Sequence, residues 1–358
     1  MSAHSPGLQA EKHNGSESDH KDLVPEGAHP TGSDPENERL VPNDPLARLT
    51  LTVTDRSEAS EGVVALTLAD PAGRPLPAWS PGAHIDVHID DETTRQYSLC
   101  AIDIHQERWR IGVLREPAGR GGSRAIHETV QVGNQLTVSH PRNNFLLVPS
   151  KRYIFIAGGI GVTPIVSMIG QAEHDGADWS LVYAGRSRNT MAFVKELSGY
   201  GDRIRFVPED TDGRVDFAEY LREVQDETLI FCCGPEPLLN AVEKSSAHWP
   251  VGSLHTERFV PKKIDASADV EFDVEFIDSG LTVRIPADKS ILEVAEEVGV
   301  PVLSSCGEGT CGTCETSVLA GTPDHRDSIL TDSEKERGDT MFICVSRSKS
   351  GCPLKLML

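Results

Sequence analysis

The chain is 358 residues long, carries a formal charge of −21 and contains eight cysteines. Its length calls for two or three domains, each able to bury a core, and the acidic excess argues against nucleic acid or anionic membrane surfaces as partners. No apolar run reaches a membrane span and residues 1–15 lack a basic-then-apolar leader, so a cytoplasmic protein is expected, its thiols reduced and serving as ligands or core residues.

Residues 1–44 are polar, rich in Gly, Pro, Ser and Glu, and read as a disordered tail. Its histidines, His4, His13, His20 and His29, have no metal-site spacing. From Pro45 the pattern turns to short alternating strands at 48–54, 62–70, 83–90, 94–101, 108–115 and 135–140, which predicts an antiparallel six-stranded barrel over 45–148. In the fourth strand, Arg95-Gln96-Tyr97-Ser98-Leu99 puts a cation and an aromatic ring on one face, because strand side chains alternate. A flavin mononucleotide asks for such a pair: a cation for its phosphate, a flat or polar wall for its ring. Downstream, Gly119-Arg-Gly121-Gly122-Ser123 opens an expected helix at 123–130 with Ser123 as N-cap, and the free N–H groups of a helix start favour phosphate. Alone, an Arg-x-Tyr-Ser strand is often only an exposed pair; its place ahead of a nucleotide domain gives it weight.

Over 149–262, strands at 153–157, 179–184, 203–208, 228–233 and 253–255 alternate with helical stretches, predicting a parallel α/β sheet. The first strand runs into Gly158-Gly159-Ile-Gly161-Val-Thr163-Pro164, whose glycines let the backbone approach a pyrophosphate ahead of a helix N-terminus. The spacing departs from the usual G-x-G-x-x-G, and the alternative is a tight turn with no ligand. Cys233-Gly234-Pro235 closes a later strand of the same sheet. Arg186 and Arg188 follow the second strand, placed to stack on adenine or pair with a 2′-phosphate, with no acidic residue beside them to hold a free ribose diol.

A linker at 261–268 leads to the last segment, 269–358. There Cys306, Cys311, Cys314 and Cys344 show C-x4-C-x2-C spacing with a distant fourth cysteine, the plant-type ferredoxin pattern for a 2Fe–2S cluster. Gly307, Gly309 and Gly312 let the loop curl and turn N–H groups toward sulfur. A structural zinc site is the rival, but zinc ribbons offer two C-x2-C knuckles and this chain has one. Cys100, Cys232 and Cys352 read as buried fillers; Cys352 also competes for the fourth position, for which Cys344 is preferred. His325 reads as structural, and 291–298 as a core helix. Residues 265–358 hold 18 acidic against 8 basic residues, either a solvated face or a docking face for a basic rim.

These motifs, with Arg120-Gly-Gly-Ser123, Pro141-Arg-Asn-Asn-Phe145, His325-Arg-Asp327 and Cys344-Val-Ser-Arg347, occur in the order in which the phthalate dioxygenase reductase family, including vanillate O-demethylase reductases, carries them. The chain resembles that family from Pro45 to its end. The resemblance implies an FMN barrel, an NAD-binding α/β domain and a β-grasp ferredoxin domain. It places Arg95 on the FMN phosphate with Gly121, Gly122 and Ser123, and Gln96, Tyr97 and Ser98 at the flavin. Gly158, Gly159, Gly161, Thr163, Arg186, Arg188, Gly234 and Pro235 would bind the nucleotide. Cys233 would lie near the hydride path, with Phe259 shielding the flavin. Cys306 and Cys311 would hold one iron, Cys314 and Cys344 the other. FMN is preferred to FAD and NADH to NADPH. The expected function is NADH-dependent electron transfer, by a monomer, to a Rieske-type terminal aromatic oxygenase or O-demethylase. A haem monooxygenase as acceptor, or a redox sensor without turnover, are the alternatives.

Overall fold

The structure, a computed structural model, describes residues 48–90, 93–103, 107–261 and 266–358. The expected tail at 1–44 lies outside the described residues.

Six strands form the first sheet: β1 (Arg48–Ser60), β2 (Val63–Ala69), β3 (His84–His88), β4 (Thr94–Ser98), β5 (Trp109–Leu114) and β6 (Gln135–Ser139), with helix α1 (Gly122–Thr129) before the last. Every pairing is antiparallel, in the order β4-β3-β6-β1-β2-β5. A bridge between Leu99 and Ile111 joins the two ends, so the sheet closes into a barrel. Leu51, Val53, Leu66, Leu68, Ile85, Val87, Trp109 and Ile111 form its core. Strand β1 outruns the alternating pattern at 48–54. Register shifts after Val53 and after Glu58 carry it through polar Asp55-Arg-Ser-Glu58, an extension that apolar alternation does not signal.

The second sheet is wholly parallel: β7 (Arg152–Gly158), β8 (Asp178–Gly185), β9 (Ile204–Pro208), β10 (Thr228–Cys233) and β11 (Leu254–Glu257), in the order β11-β10-β7-β8-β9. Its central strands are covered on both faces, which is why they read as unbroken apolar runs. Helix α2 (Val162–Asp175) follows β7. The stretches after β8 and β9 shrink to single turns, α3 (Val194–Leu197), α4 (Glu209–Asp212) and α5 (Phe217–Tyr220). Glycine contributes to two of these stops: Gly201 is non-helical in the turn that continues α3, and Gly213 ends α4 at φ +71°. Helix α6 (Glu236–Ser245) follows β10.

In the third unit the hairpin β12 (Phe272–Phe276) and β13 (Leu281–Ile285) leads into α7 (Ile291–Glu297), then β14 (Glu315–Ala320), β15 (Pro323–Asp324), α8 (Asp332–Arg337), β16 (Thr340–Phe342), β17 (Arg347–Ser348) and β18 (Leu354–Leu356). Strand β18 returns parallel to β12, and the mixed sheet orders as β13-β12-β18-β14-β16. Ser290 and Glu293 form a capping box that starts α7, whose Ile291, Leu292, Val294 and Ala295 pack on Phe272, Phe276 and Leu354. The multidomain fold class expected from the sequence is therefore present.

The cores differ in how they are shared. Val63, Ala65, Cys100 and Phe145 of the barrel region join Phe155, Ile165, Met168 and Phe193 of the nucleotide half in one hydrophobic cluster. The third unit keeps its own. No described helix is long and apolar enough to cross a membrane.

Candidate functional site

The flavin motif sits on β4. Tyr97 packs on the barrel core, where burial pushes its hydroxyl well above the ordinary phenol value. Arg95 donates to the Thr94 carbonyl at 2.7 Å and to that of Arg120 at 3.4 Å. Its stem lies against Gly122: a Cβ there would meet Arg95 Cγ and Ile89 Cδ1, each at 2.8 Å. Position 122 is glycine because Arg95 passes over the start of α1, which sets a guanidinium beside free helix N–H groups, the combination a phosphate requires. Ser123, however, is not the N-cap. Gly121 holds that position at φ +89° with no side-chain bond, and Ser123 Oγ instead accepts the Glu116 N–H at 3.0 Å, closing the preceding loop. Ser98 is buried opposite His84 in the β3–β4 pair. His84 is neutral, pushed down to about 4 by burial and then by the Arg142 charge, and its Nε2 is buried with no hydrogen-bond partner among the described residues.

Gln96 turns aside to Asp86, donating to Oδ1 at 3.1 Å, where Arg142 Nη2 also donates at 2.7 Å. Ser305 Oγ, next to the first cluster cysteine, donates to Oδ2 at 2.8 Å. Burial pushes the Asp86 carboxyl up, but Arg142 and these donors outweigh it and hold the group below its ordinary value.

In the nucleotide half the glycines divide their work. A Cβ on Gly161 would lie 2.3 Å from the Cys233 carbonyl oxygen, and one on Gly158 would lie 2.6 Å from Pro235 Cδ. Gly234 in turn backs onto Gly158. These three glycines also let the two strand-end turns pack on each other. Gly159, at φ +54° with open space where its Cβ would be, is the one left facing outward. Thr163 bonds the Ile160 carbonyl at 2.9 Å and shapes the first turn of α2.

Cys233 is fully buried and burial raises its thiol well above the ordinary range. Its Sγ lies 3.7 Å from Glu257 Oε2 at the end of β11. Close packing around Glu257 pushes that carboxyl up to about 8, although part of the residue stays open to solvent. The next residue pins the strand end: Arg258 donates to Glu236 at 3.1 Å and Glu243 at 2.6 Å on α6. Sequence reading passed over Glu257; its only signal is an acid one strand-length from Cys233 in the neighbouring parallel strand, where the two residues stand in register. Cys232 faces the opposite, purely apolar cluster, as expected of a core thiol. Phe259 is 41% exposed beyond β11.

Arg186 and Arg188 are both exposed, and Arg188 is spent on a stack over Phe206, 4.0 Å from its ring centre. The expected lack of acidic neighbours does not hold in space. The Asp210 N–H donates to the Arg186 carbonyl at 3.1 Å, so α4, with Glu209, Asp210 and Asp212, begins beside the arginine turn.

The four cluster cysteines come together. Gly307, Gly309 and Gly312 all have positive φ, curling the loop. The Glu308 N–H reaches Cys306 Sγ at 3.2 Å and the Thr313 N–H reaches Cys311 Sγ at 3.4 Å. The Cys306 thiol is driven far below its ordinary value, first by Cys311 and then by Cys344, while Cys314 is lowered first by Cys344. Among the described residues no three His, Cys, Asp or Glu close on a single ion. Paired thiols flanked by amide donors suit a two-iron, two-sulfide core. His325 and Asp327 lie behind this loop, Asp327 accepting the Ile329 and Leu330 N–H groups.

Family models match in two places: the 2Fe-2S iron-sulfur cluster binding domain at residues 275–349, spanning all four cysteines, and the oxidoreductase NAD-binding domain at 155–244. The chain is 39% identical to the phenoxybenzoate dioxygenase subunit beta of Ectopseudomonas oleovorans, over 85% of this chain and 96% of that protein. The solved phthalate dioxygenase reductase, described as a modular structure for electron transfer from pyridine nucleotides to [2Fe-2S], superposes with a TM-score of 0.64 at 36% identity, covering 87% of this chain and 98% of that one. An intact type IV self-sufficient cytochrome P450 monooxygenase superposes with a TM-score of 0.81 at 42% identity over 87% of this chain, which spans only 41% of that longer polypeptide.

Proposed function

The chain belongs to the phthalate dioxygenase reductase and vanillate O-demethylase reductase family, and from that premise we propose that it passes single electrons from NADH to a Rieske-type terminal oxygenase or O-demethylase. It is an oxidoreductase of an oxygenase system, with FMN, NADH and a 2Fe–2S cluster as cofactors. When bound, they supply a hydride acceptor and a one-electron relay; the protein holds, orients and screens them.

On this reading the domains run 45–148, 149–262 and 269–358. Arg95 holds the FMN phosphate at the Gly121-Gly122-Ser123 helix start, and Gln96, Tyr97 and Ser98 border the ring. Gly159 and Thr163 receive the pyrophosphate at α2, on a turn kept tight by Gly158, Gly161, Gly234 and Pro235. Arg186 and Arg188 meet the adenosine end. Cys233 and Glu257 line the nicotinamide end, where a carboxyl that keeps its proton near neutrality adds no charge where a hydride must move. Phe259 covers the flavin face. Cys306 with Cys311, and Cys314 with Cys344, ligate the two irons, and the protein works as a monomer.

The observation that carries this reading is that β4 and the cluster loop meet across one carboxylate, Asp86, linking the flavin strand to the thiols. The test is NADH-dependent product formation with a purified Rieske-type oxygenase, alongside the visible spectrum of the purified chain. Coupled turnover is expected; a colourless polypeptide without iron or sulfide would end the proposal. A second reading, delivery to a haem monooxygenase, is favoured by the 42% identity to the P450 fusion. Turnover with a separate haem acceptor and none with a Rieske oxygenase would select it.

A further inference from the structure

We infer that Asp86 is a positioning residue for electron transfer, clasping the cluster loop to the flavin strand. This rests on the functional reading above, but Asp86 and Ser305 themselves lie outside the cofactor motifs. Asp86 is 3% exposed, and its two oxygens face different ways. Oδ1 accepts Gln96 and Arg142, both of the barrel region, while Oδ2 accepts Ser305 from the other unit. The backbone beneath is fixed as well, for the Asp86 N–H donates to Ser139 Oγ at 2.9 Å. Two further contacts lie alongside. Asn144 Nδ2 donates to the Cys311 carbonyl at 2.9 Å, with Gly312 packed against its amide, and Arg120 pairs with Glu308 at 2.9 Å.

Around the clasp the seam is polar. A cavity of about 120 Å³ opens there, lined by Asp86, Arg142, Ser304, Ser305 and Thr313 among others. Among the described residues no buried hydrophobic cluster spans this seam, so the alignment of loop and strand depends on a few hydrogen bonds. The step they serve moves one electron from reduced flavin to oxidised cluster at a time, with no bond made or broken and NADH as the source. Asp86 exchanges nothing; it fixes separation and orientation.

The test uses the full-length holoprotein under anaerobic rapid mixing with NADH, following flavin and cluster absorbance separately, together with hydrogen exchange at the amides of 304–313. Ser305→Ala is expected to leave flavin reduction unchanged, slow cluster reduction about tenfold, the loss of aligned population that removing one hydrogen bond to a charged carboxylate allows, and speed exchange in the loop. Ser305→Thr, which keeps the hydroxyl, restores both. Asp86→Ala should match Ser305→Ala or exceed it; if it fails to fold, the serine pair still decides. Wild-type cluster reduction in Ser305→Ala, or equal slowing of both phases, overturns the inference. Failure of the functional reading looks different: the wild-type protein itself would then show no cluster phase after flavin reduction.

Discussion

The barrel meets its two neighbours in different ways. Against the nucleotide half it merges into one hydrophobic core, and backbone comes up against backbone. A Cβ on Gly170 of α2 would lie 2.0 Å from the Ile102 carbonyl oxygen, Gly112 of β5 sits against Thr163 and Phe193, and Arg110 forks onto Glu196 at 2.9 and 3.0 Å. Against the cluster-bearing unit it offers the Asp86 clasp, Asn144 and one exposed ion pair around a polar cavity. The contrast follows the chemistry each seam serves. Hydride transfer needs the reacting atoms about 3–3.5 Å apart in a set orientation, which a shared core enforces. An electron crosses without bond contact, so a lighter, polar seam suffices.

The strongest way to separate the two seams is to remove a thiol. Cys311→Ser should abolish electron delivery to a protein acceptor while NADH-driven dye reduction, which needs only the fused half, persists; equal loss of both would contradict the division. Next, Gly170→Ala should strain the fused seam and lower stability by about 1–3 kcal/mol, read as a drop in the unfolding temperature of barrel and nucleotide half together. Unchanged melting would mean the seam yields more easily than its packing implies.

Acidity gives a third handle on the fused side. The Glu257 carboxyl is raised from 4.5 to about 8, so the folded state holds a proton that the unfolded chain releases. Its contribution is intact below pH 4.5 and is lost as pH rises to about 8. Thermal unfolding of wild type against Glu257→Gln, scanned from pH 4.5 to 9, should show the wild type losing ground across that window and running parallel above it. Curves that stay parallel throughout would place Glu257 in water. The smallest effect belongs to the lighter seam: Arg120 is 60% exposed in its pair with Glu308, so Arg120→Ala should cost at most about 1 kcal/mol. That cost should shrink further in high salt, as denaturant titration at two ionic strengths would measure.

Pattern-borne features were legible in the linear chain. Period-two alternation announced the barrel, the alternation of strands with helical stretches the parallel sheet, and cysteine spacing the cluster loop, because each is written in local pattern. What pattern could not supply was where shared groups are spent. Ser123 looked like a cap because serine before a helix usually is one, yet a backbone N–H seven residues upstream claims its oxygen. The glycines of the first nucleotide turn suggest backbone approach to a ligand, and only the fold adds that Gly158 and Gly161 also make room for the Cys233-Gly-Pro turn.

The sequence by itself thus determined the three-part architecture, the strand that carries Arg95 and Tyr97, and the four thiols, since local periodicity and ligand spacing survive without knowledge of the fold. Only tertiary structure decided that Glu257 stands by Cys233, that acidic α4 adjoins Arg186, and that Asp86 reaches Ser305 across 219 positions. Such pairings arise from long-range packing, where burial sets a group's charge and geometry chooses its partner, and neither is written in the order of neighbouring residues.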